Sequence, residues 1–421
     1  MAHRTAERAL PTTSPDGTAQ VGQWNSAVTS YYLIAGASLL LVAIGLIMVL
    51  SSSSVDALSA DRSAYSTFLN QAKFALVGLP LAWLASRFPP AFYKRFAWPA
   101  LLASMAVLAL VPFIGKEVNG NTNWIIIGGQ SFQPSELAKL TLALWLGVVL
   151  ARKGPLLNRW LHVLVPGVLV ALAAIGLVLA GGDLGTAIVL VTLVAGALFV
   201  AGVPLRMFAA AGVLAVFAVI QLSQMSNSRV ARIEAFFSDS CDRFDECYQT
   251  SRGMFALASG GWTGVGLGES REKWSYLPEA HNDFIFAVLG EELGVLGTVL
   301  VLALFGVLAV AMSRVIRRHT DPFVQIATAG IATWILGQAL VNIAVVVGFL
   351  PVIGVPLPLV SAGGSALITT MLALGVVLSF ARNEPGAAEA LTARPSVVRR
   401  SLAVVGRSAR AARPARGGTR E

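Results

Sequence analysis

The chain has 421 residues, of which 56% are hydrophobic and only 13% are charged. An ordinary soluble domain carries about 25% charged residues, so the composition excludes that class. Apolar segments recur from residue 31 to residue 382, and each can cross a hydrocarbon layer of about 30 Å as a helix. The composition therefore predicts an all-α polytopic membrane protein.

The formal net charge is +9, and its location argues against nucleic-acid binding. Residues 384–421 hold eight arginines against three glutamates, in a segment rich in Ala, Pro and Gly. Such a segment cannot bury a core, so we expect a disordered basic cytoplasmic tail over residues 383–421. An alternative is that the tail lies on anionic lipid head groups. Residues 1–30 are predicted to be a disordered cytoplasmic segment as well.

Hydropathy predicts ten membrane helices within a membrane domain of residues 31–382. They lie near 31–52, 67–86, 97–115, 132–151, 162–180, 184–203, 207–223, 284–313, 323–350 and 365–382. Short loops on one side carry ten Lys or Arg residues and those on the other side carry two, which places both termini in the cytoplasm. Because successive loops lie on alternate sides of the membrane, one large loop, residues 224–283 between helices 7 and 8, is predicted to be extracytoplasmic.

The first chemically distinctive stretch is NGNTNWIIIGGQSFQPSELAKL, residues 119–140. Its Asn-Gly and Gly-Gly pairs indicate turns. Pro134 suits the first position of a helix, and Glu136 suits its positive N-terminal end. Lys139 follows on the same helix face, which predicts a Glu136–Lys139 ion pair. A lysine inside the membrane is usually functional, but a lysine that snorkels from a helix end is an equal alternative.

Two glycine-containing stretches have mainly structural interpretations. In GGDLGTA, residues 181–187, Asp183 is predicted to cap the following helix. The stretch SGGWTGVGLGES, residues 259–270, has the glycine spacing of a dinucleotide loop, but no βαβ unit surrounds it. Its glycines therefore predict a tightly turned or re-entrant backbone.

The two cysteines of the chain, Cys241 and Cys247, both fall in the large outer loop. An oxidising outer face favours a disulfide between them, and two free thiols are the alternative. Two cysteines without nearby histidines supply too few ligands for a metal site.

The stretch LPEAHNDFIF, residues 277–286, places Glu279, His281 and Asp283 directly before a long apolar run. Glu291 and Glu292 follow two turns later, so at least one carboxylate of this region is expected to face a polar cavity. Asp283 could be a simple helix cap. An apolar rim would instead desolvate its carboxylate and make it a stronger general base.

The stretch PVIGVPLPLVSAGGSALI, residues 351–368, holds three prolines and three glycines between the ninth and tenth predicted helices. Irregular backbone at membrane depth is tolerated where it is buried in protein or lines a cavity. Ser361 and Ser365 could present hydroxyls there. A serine hydrolase is not indicated, because the chain has no G-x-S-x-G turn.

These stretches, in this order and over most of the chain, resemble the SEDS family of membrane glycosyltransferases, which FtsW and RodA typify. LPEAHNDFIFAVLGEELG is more similar to the division-type members, and SREKW with the paired cysteines is similar to actinobacterial ones. The resemblance implies ten transmembrane helices in the plasma membrane. It also implies polymerisation of lipid II into glycan strands on the outer face.

The resemblance also implies roles for particular residues. The essential acidic residue of the family falls on Asp283, and its PSE-x-x-K helix start falls on Glu136 and Lys139. A basic residue of the second helix most nearly matches Lys73. Further supporting or substrate-binding candidates are Glu291, Ser361, Ser365 and His281. Asn121, Thr122 and Asn123 stand where the family usually has a basic residue before the tryptophan, which puts a phosphate-binding role for that loop in doubt.

The expected chemistry needs one carboxylate, which accepts a proton from the 4-hydroxyl of the acceptor sugar. Pyrophosphate is already a good leaving group, so positive charge is what it requires. Lys139 ranks first for that charge, ahead of Lys73, Arg252 and Lys273, and a divalent cation, Mg²⁺ or Mn²⁺, stays open. The implied partners are a class B penicillin-binding protein and other division proteins. A lipid II flippase and a non-catalytic division scaffold are the alternative functions.

Overall fold

The computed structural model describes residues 28–387, apart from positions 60, 62, 119–120, 225–229, 231–235, 237–246 and 275. Cys241 and most of the predicted terminal segments lie outside the described residues, so the predictions made for them stay predictions.

The N-terminal third contains three helices and a small sheet. The helices are α1 (Thr29–Ser59), α2 (Ser66–Ala85) and α3 (Pro90–Ile114). The antiparallel sheet has the order β1 (Lys116–Val118), β2 (Asn121–Ile127) and β3 (Gln130–Phe132). The sheet was not predicted, since only turns were expected in this stretch. The Gly128–Gly129 turn is as predicted, because Ile127 and Gln130 pair directly across it.

The remaining helices follow in chain order. They are α4 (Pro134–Lys153), α5 (Trp160–Val163), α6 (Leu169–Ala180), α7 (Leu184–Val200), α8 (Leu205–Gln224), α9 (Tyr248–Ser259), α10 (Ile285–Arg318), α11 (Pro322–Val346) and α12 (Gly364–Arg382). A π-helical segment, Leu164–Val168, joins α5 to α6, so that the two form one span. Helix α9 lies within residues 224–283, the segment expected to be the outer loop, and was not predicted.

Within the described residues, eight helical segments are long and apolar enough to cross a membrane. Two shorter apolar segments, α7 (Leu184–Val200) and the Leu205–Ala218 part of α8, correspond to the sixth and seventh predicted helices. Since spanning segments in lipid must satisfy their own backbone groups, the chain is a polytopic helical membrane protein. The predicted fold class is confirmed at this level.

Helix α4 forms the centre of the bundle. Of its membrane-spanning window, 89% is buried, because α3, α7, α11 and α12 pack around it. Small residues allow this close packing: a Cβ added to Gly147 would lie 3.0 Å from the Cβ of Ala327 on α11. Because other helices enclose α4, most of its side chains lie inside the bundle.

Regular structure is interrupted at two places in the second half of the chain. Residues 351–363 between α11 and α12 are irregular, as the prolines and glycines predicted. Helix α10 is broken at Gly294, which has φ +66° and ψ −163°. Both interruptions lie beside residues that the sequence analysis singled out.

Candidate active site

Asp183 has the capping role that its position predicted. Its Oδ1 accepts a hydrogen bond from the backbone N of Thr186 at 2.8 Å, at the start of α7. Its Oδ2 accepts from the side chain of Gln133 at 2.9 Å. Asp183 therefore also links the α6–α7 turn to the residue that precedes α4.

The predicted ion pair between Glu136 and Lys139 is confirmed. Lys139 Nζ lies 2.9 Å from Glu136 Oε1, and the two residues are 1% and 3% exposed. Lys139 Nζ also donates to Gln338 Oε1 at 3.1 Å and lies 4.8 Å from the centre of the Trp334 ring. The ammonium is enclosed by α4 and α11, so the alternative of a lysine that snorkels to the membrane surface does not apply.

A row of polar side chains on α11 extends from this ion pair. Trp334, Gln338 and Asn342 recur every four residues, which places them on one helix face. Gln338 Nε2 donates to the carbonyl of Pro356 at 2.9 Å, and Asn342 Nδ2 donates to the carbonyl of Asp283 at 2.7 Å. This row was not predicted, although polar residues four apart in an apolar span are a readable signal.

Asp283 lies in a turn directly before α10 and is partly buried. Phe284 holds the N-cap position of α10 and makes no side-chain cap bond. Asp283 Oδ2 would be 3.6 Å from a Cβ added to Gly354 in the irregular segment. Gly354 has φ +76°, a conformation that favours glycine. The carboxylate therefore lies against the irregular segment at the end of a spanning helix.

Ser361 and the backbone of His281 belong to the same neighbourhood. Ser361 Oγ donates to the carbonyl of Asn282 at 2.7 Å, and the N of Ala362 donates to the carbonyl of His281 at 2.9 Å. Gln71 of α2 bonds the carbonyl of Ser361 and the N of Gly363, each at 3.1 Å. These bonds hold the turn that carries Asp283 against residues 361–363. Gln71 was missed because a glutamine in an apolar helix gave no distinctive pattern.

Ser365 lies on the opposite side of the irregular segment. Its Oγ accepts a hydrogen bond from the backbone N of Gln133 at 3.2 Å, so it joins the start of α12 to the start of α4. Ser365 thus lies at the Glu136 end of the site, and Ser361 lies at the Asp283 end.

Glu291 and Glu292 form a separate buried cluster with the outer loop. Glu291 accepts from Ser270 Oγ at 2.5 Å and from the N of Arg271 at 2.9 Å. Glu292 Oε1 lies 3.2 Å from Lys273 Nζ and accepts from Ser51 Oγ at 2.6 Å. These carboxylates hold the loop in place, and the structure does not bring them together with Glu136 and Lys139.

The glycine-rich loop is tightly turned, as predicted. The backbone N of Val265 donates to the carbonyl of Glu291 at 3.0 Å, and the N of Val295 donates to the carbonyl of Gly261 at 2.9 Å. The break in α10 makes these bonds available, because it releases helical carbonyl and N–H groups. The loop therefore uses its glycines to pair with α10.

Two predicted basic candidates lie apart from the buried ion pair. Lys73 is exposed on α2, and it lies two residues after Gln71, so the two side chains leave opposite sides of the helix. Arg252 lies over the rings of Tyr248 and Tyr276, at 5.2 and 5.1 Å, and 3.6 Å from Glu272. Burial raises the pKa of the Glu272 carboxyl, and the charge of Arg252 opposes this shift.

Cys247 immediately precedes α9 and is disulfide-bonded. Since Cys241 lies outside the described residues, the Cys241–Cys247 pairing stays a prediction. Among the side chains that the structure describes, no group of three or more His, Cys, Asp or Glu residues could hold a metal ion. A divalent cation likewise stays a prediction.

Comparison with known proteins identifies the family. A family model described as a cell cycle protein, FtsW/RodA/SpoVE, matches residues 31–385. The chain belongs to the FtsW/RodA/SpoVE family. Its relatives include proteins named as probable peptidoglycan glycosyltransferase FtsW. The one from Mycobacterium tuberculosis is 41% identical over 88% of this chain and 72% of its own length. The one from Hahella chejuensis is 37% identical over 82% of this chain and 88% of its own length.

Solved structures of the family have the same fold. RodA of Thermus thermophilus superposes with a TM-score of 0.63 at 28% identity, over 84% of this chain and 97% of its own. A chain from a structure described as a peptidoglycan synthase complex that coordinates polymerization and crosslinking has a TM-score of 0.69 at 28% identity. That match covers 83% of this chain and 97% of the other. The likeness therefore extends over the whole membrane domain.

Proposed function

We propose that this chain is a peptidoglycan glycosyltransferase of the plasma membrane that polymerises lipid II at the division septum. Asp283 is the catalytic base. The observation that carries the proposal is the setting of Asp283, a partly buried residue whose carbonyl is bonded by α11. The two residues before it, His281 and Asn282, are bonded by the irregular segment. The names of the relatives support the reaction class, and the division-type motif LPEAHNDFIF supports the septal role.

The proposed topology has ten transmembrane helices, with the two shorter apolar helices crossing as well as the eight longer ones. An even number keeps both termini in the cytoplasm, in agreement with the basic residues of the loops on that side. The turn that carries Asp283 then lies at the extracytoplasmic boundary. Lipid II can present its sugar to the carboxylate there while its polyprenyl chain stays in the bilayer.

In the proposed reaction, Asp283 accepts the proton of the acceptor 4-hydroxyl while that oxygen attacks the anomeric carbon of the donor sugar. A glycosidic bond forms, the bond from the anomeric carbon to the pyrophosphate oxygen breaks, and the electron pair leaves with polyprenyl pyrophosphate. The base later returns its proton to solvent. One carboxylate is enough, because the leaving group needs positive charge and not a proton.

We propose that Glu136 and Lys139 support the site from its interior. Lys139 is 1% exposed and its ammonium is compensated by Glu136, so direct contact with pyrophosphate would require the pair to open. Lys139 is therefore less suited to stabilise the leaving group than its first rank in the sequence analysis implies. A divalent cation, or basic residues outside the buried pair such as Lys73 and Arg252, remain candidates for the charge that the leaving group requires.

The implied partner is a class B penicillin-binding protein, which would crosslink the new strands. The solved relative described as coordinating polymerization and crosslinking supports this partnership. Further division proteins are proposed partners on the basis of the family alone.

The decisive experiment is polymerisation of lipid II by purified Asp283→Asn, followed by gel analysis of the glycan product. The assay is run with and without the transpeptidase partner, and with Mg²⁺ or Mn²⁺. We expect no polymer, with folding and lipid II binding retained, because the amide cannot accept the proton. Glu269→Gln removes an exposed acid of the same outer loop, and we expect this control to polymerise normally.

Polymerisation by Asp283→Asn at the wild-type rate would refute the assignment of the base. Movement of lipid II across the membrane without polymer, by the wild-type protein, would support the flippase instead. Normal growth of cells that carry Asp283→Asn would support the scaffold.

A further inference from the structure

The polar row on α11 connects the two parts of the site, and we propose that Gln338 and Asn342 are positioning residues for Asp283. The inference rests on the proposed function, because it assigns these side chains a role in the reaction whose base is Asp283. Neither amide needs to touch substrate, because both act through the turn that carries Asp283.

Asn342 holds the base-bearing turn to the irregular segment. It is 1% exposed, and its Nδ2 donates to the carbonyl of Asp283 at 2.7 Å and to the carbonyl of Val355 at 2.8 Å. Because both partners are carbonyls, which can only accept, the orientation of the amide is fixed. Val355 follows Gly354, which is the residue that approaches the Asp283 carboxylate. One amide thus sets the distance between the carboxylate and its neighbouring backbone.

Gln338, one turn earlier on α11, likewise bonds a backbone carbonyl of the irregular segment. It is 4% exposed, and its Oε1 accepts from Lys139 Nζ at 3.1 Å and from Trp334 Nε1 at 3.0 Å. Its Nε2 donates to the carbonyl of Pro356 at 2.9 Å. The lysine ammonium and the indole N–H can only donate hydrogen bonds, so the amide oxygen must face them. The orientation of this amide is therefore fixed as well.

Gln338 and Asn342 therefore bind two successive carbonyls, those of Pro356 and Val355, from one rigid helix. The buried Glu136–Lys139 pair is bonded to the first of these amides, and the turn of Asp283 is bonded to the second. Through these bonds, the buried pair and the turn of Asp283 are attached to the same two neighbouring carbonyls. A misplacement of about 1 Å can reduce catalysis about 100-fold, so a network that fixes the base is expected to affect turnover.

A purely structural role for the row is the alternative, since buried polar networks also stabilise folds. The two roles predict different kinetics. The test variant is Asn342→Leu, which has a similar volume and removes both donors. In purified full-length protein, we expect kcat to fall about 10- to 100-fold while KM changes less than about twofold. We also expect a shifted pH dependence of kcat, because the base no longer has its native surroundings.

Two further variants complete the experiment. Gln338→Met removes the bonds to Lys139, Trp334 and Pro356 but leaves those of Asn342, and it is expected to lower kcat as well. Thr328→Val is the matched control: Thr328 is 0% exposed on the same helix, and its hydroxyl has no hydrogen-bond partner among the described residues. This control should keep kcat and its pH dependence unchanged.

The inference is overturned if Asn342→Leu and Gln338→Met lower the unfolding temperature but keep the wild-type kcat and pH dependence. If Asn342→Leu does not fold, an unchanged kcat in Gln338→Met overturns it equally. A failure of the proposed function is distinguishable, because it would show as wild-type polymerisation by Asp283→Asn.

Discussion

Two acid–lysine pairs among the described residues are buried, and they are built in different ways. Glu136 and Lys139 lie three residues apart on α4, with their charged atoms 2.9 Å apart. Lys273 comes from the outer loop and Glu292 from α10, with their charged atoms 3.2 Å apart. Ser51 of α1 bonds the same oxygen of Glu292. The first pair follows from helix geometry, whereas the second needs three distant segments to meet.

The surroundings of the two pairs also differ. The α4 pair continues through Gln338 and Asn342 to the backbone of Asp283. The outer-loop pair fastens the loop to the break in α10, next to the bonds that Glu291 makes with the same loop. A buried charge pair can therefore connect either to the proposed reacting region or to the attachment of a loop. The hydrogen bonds around the pair indicate which.

The largest expected effect comes from removing one charge of either pair. Lys139→Met or Lys273→Met leaves a buried carboxylate without its partner, and each should lower the free energy of unfolding by about 3–5 kcal/mol. The neutral doubles Glu136→Gln/Lys139→Met and Glu292→Gln/Lys273→Met should recover most of that loss. Denaturation of the purified variants in detergent measures both effects.

A polymerisation assay of the two neutral double variants then distinguishes the roles of the two pairs. The α4 double is expected to stay defective, because its link to Gln338 is lost along with the charge. The outer-loop double is expected to regain activity once it is folded. Equal recovery of activity in both doubles would remove the functional distinction between the two pairs.

A smaller effect is expected from Gly294→Ala, which tests how the outer loop is attached. At φ +66°, a side chain is strained, and a Cβ would lie 2.4 Å from the N of Gly264. We expect a loss of about 1–3 kcal/mol in the free energy of unfolding, from strain at this backbone position. Gly306→Ala on the same helix is the control, because no atom lies within 4 Å of its added Cβ. Equal stability of the two variants would contradict the attachment of the loop at this break.

The smallest effect concerns Glu272, beside the outer-loop pair. Burial raises the pKa of its carboxyl above the ordinary 4.5, so the folded state favours the protonated acid. Its contribution to stability is therefore present below pH 4.5 and is lost as the pH rises through the raised pKa. The stability of Glu272→Gln minus that of wild type should therefore be larger at neutral pH than at pH 4.5. Melting temperatures across this range measure the difference, and a difference that does not change with pH would contradict the expected shift.

The sequence by itself determined the features that a few neighbouring residues encode. Hydropathy gave the spanning helices, Pro134 marked the start of α4, and the spacing of Glu136 and Lys139 gave their pair. Asp183 was predicted as a cap, and the prolines and glycines of residues 351–363 predicted irregular backbone. These features depend on local geometry and on transfer of whole segments into lipid, and both can be read within one stretch.

Only the tertiary structure decided which of these stretches meet. It joined Gln71 to residues 361–363, Asn342 to Asp283, and Lys273 to Glu292, and it left Lys73 on the exposed side of α2. It also formed the sheet before α4 and helix α9, which hydropathy did not reveal. A buried polar group takes whichever partner the packed bundle brings to it, and that choice depends on contacts between residues far apart in the chain.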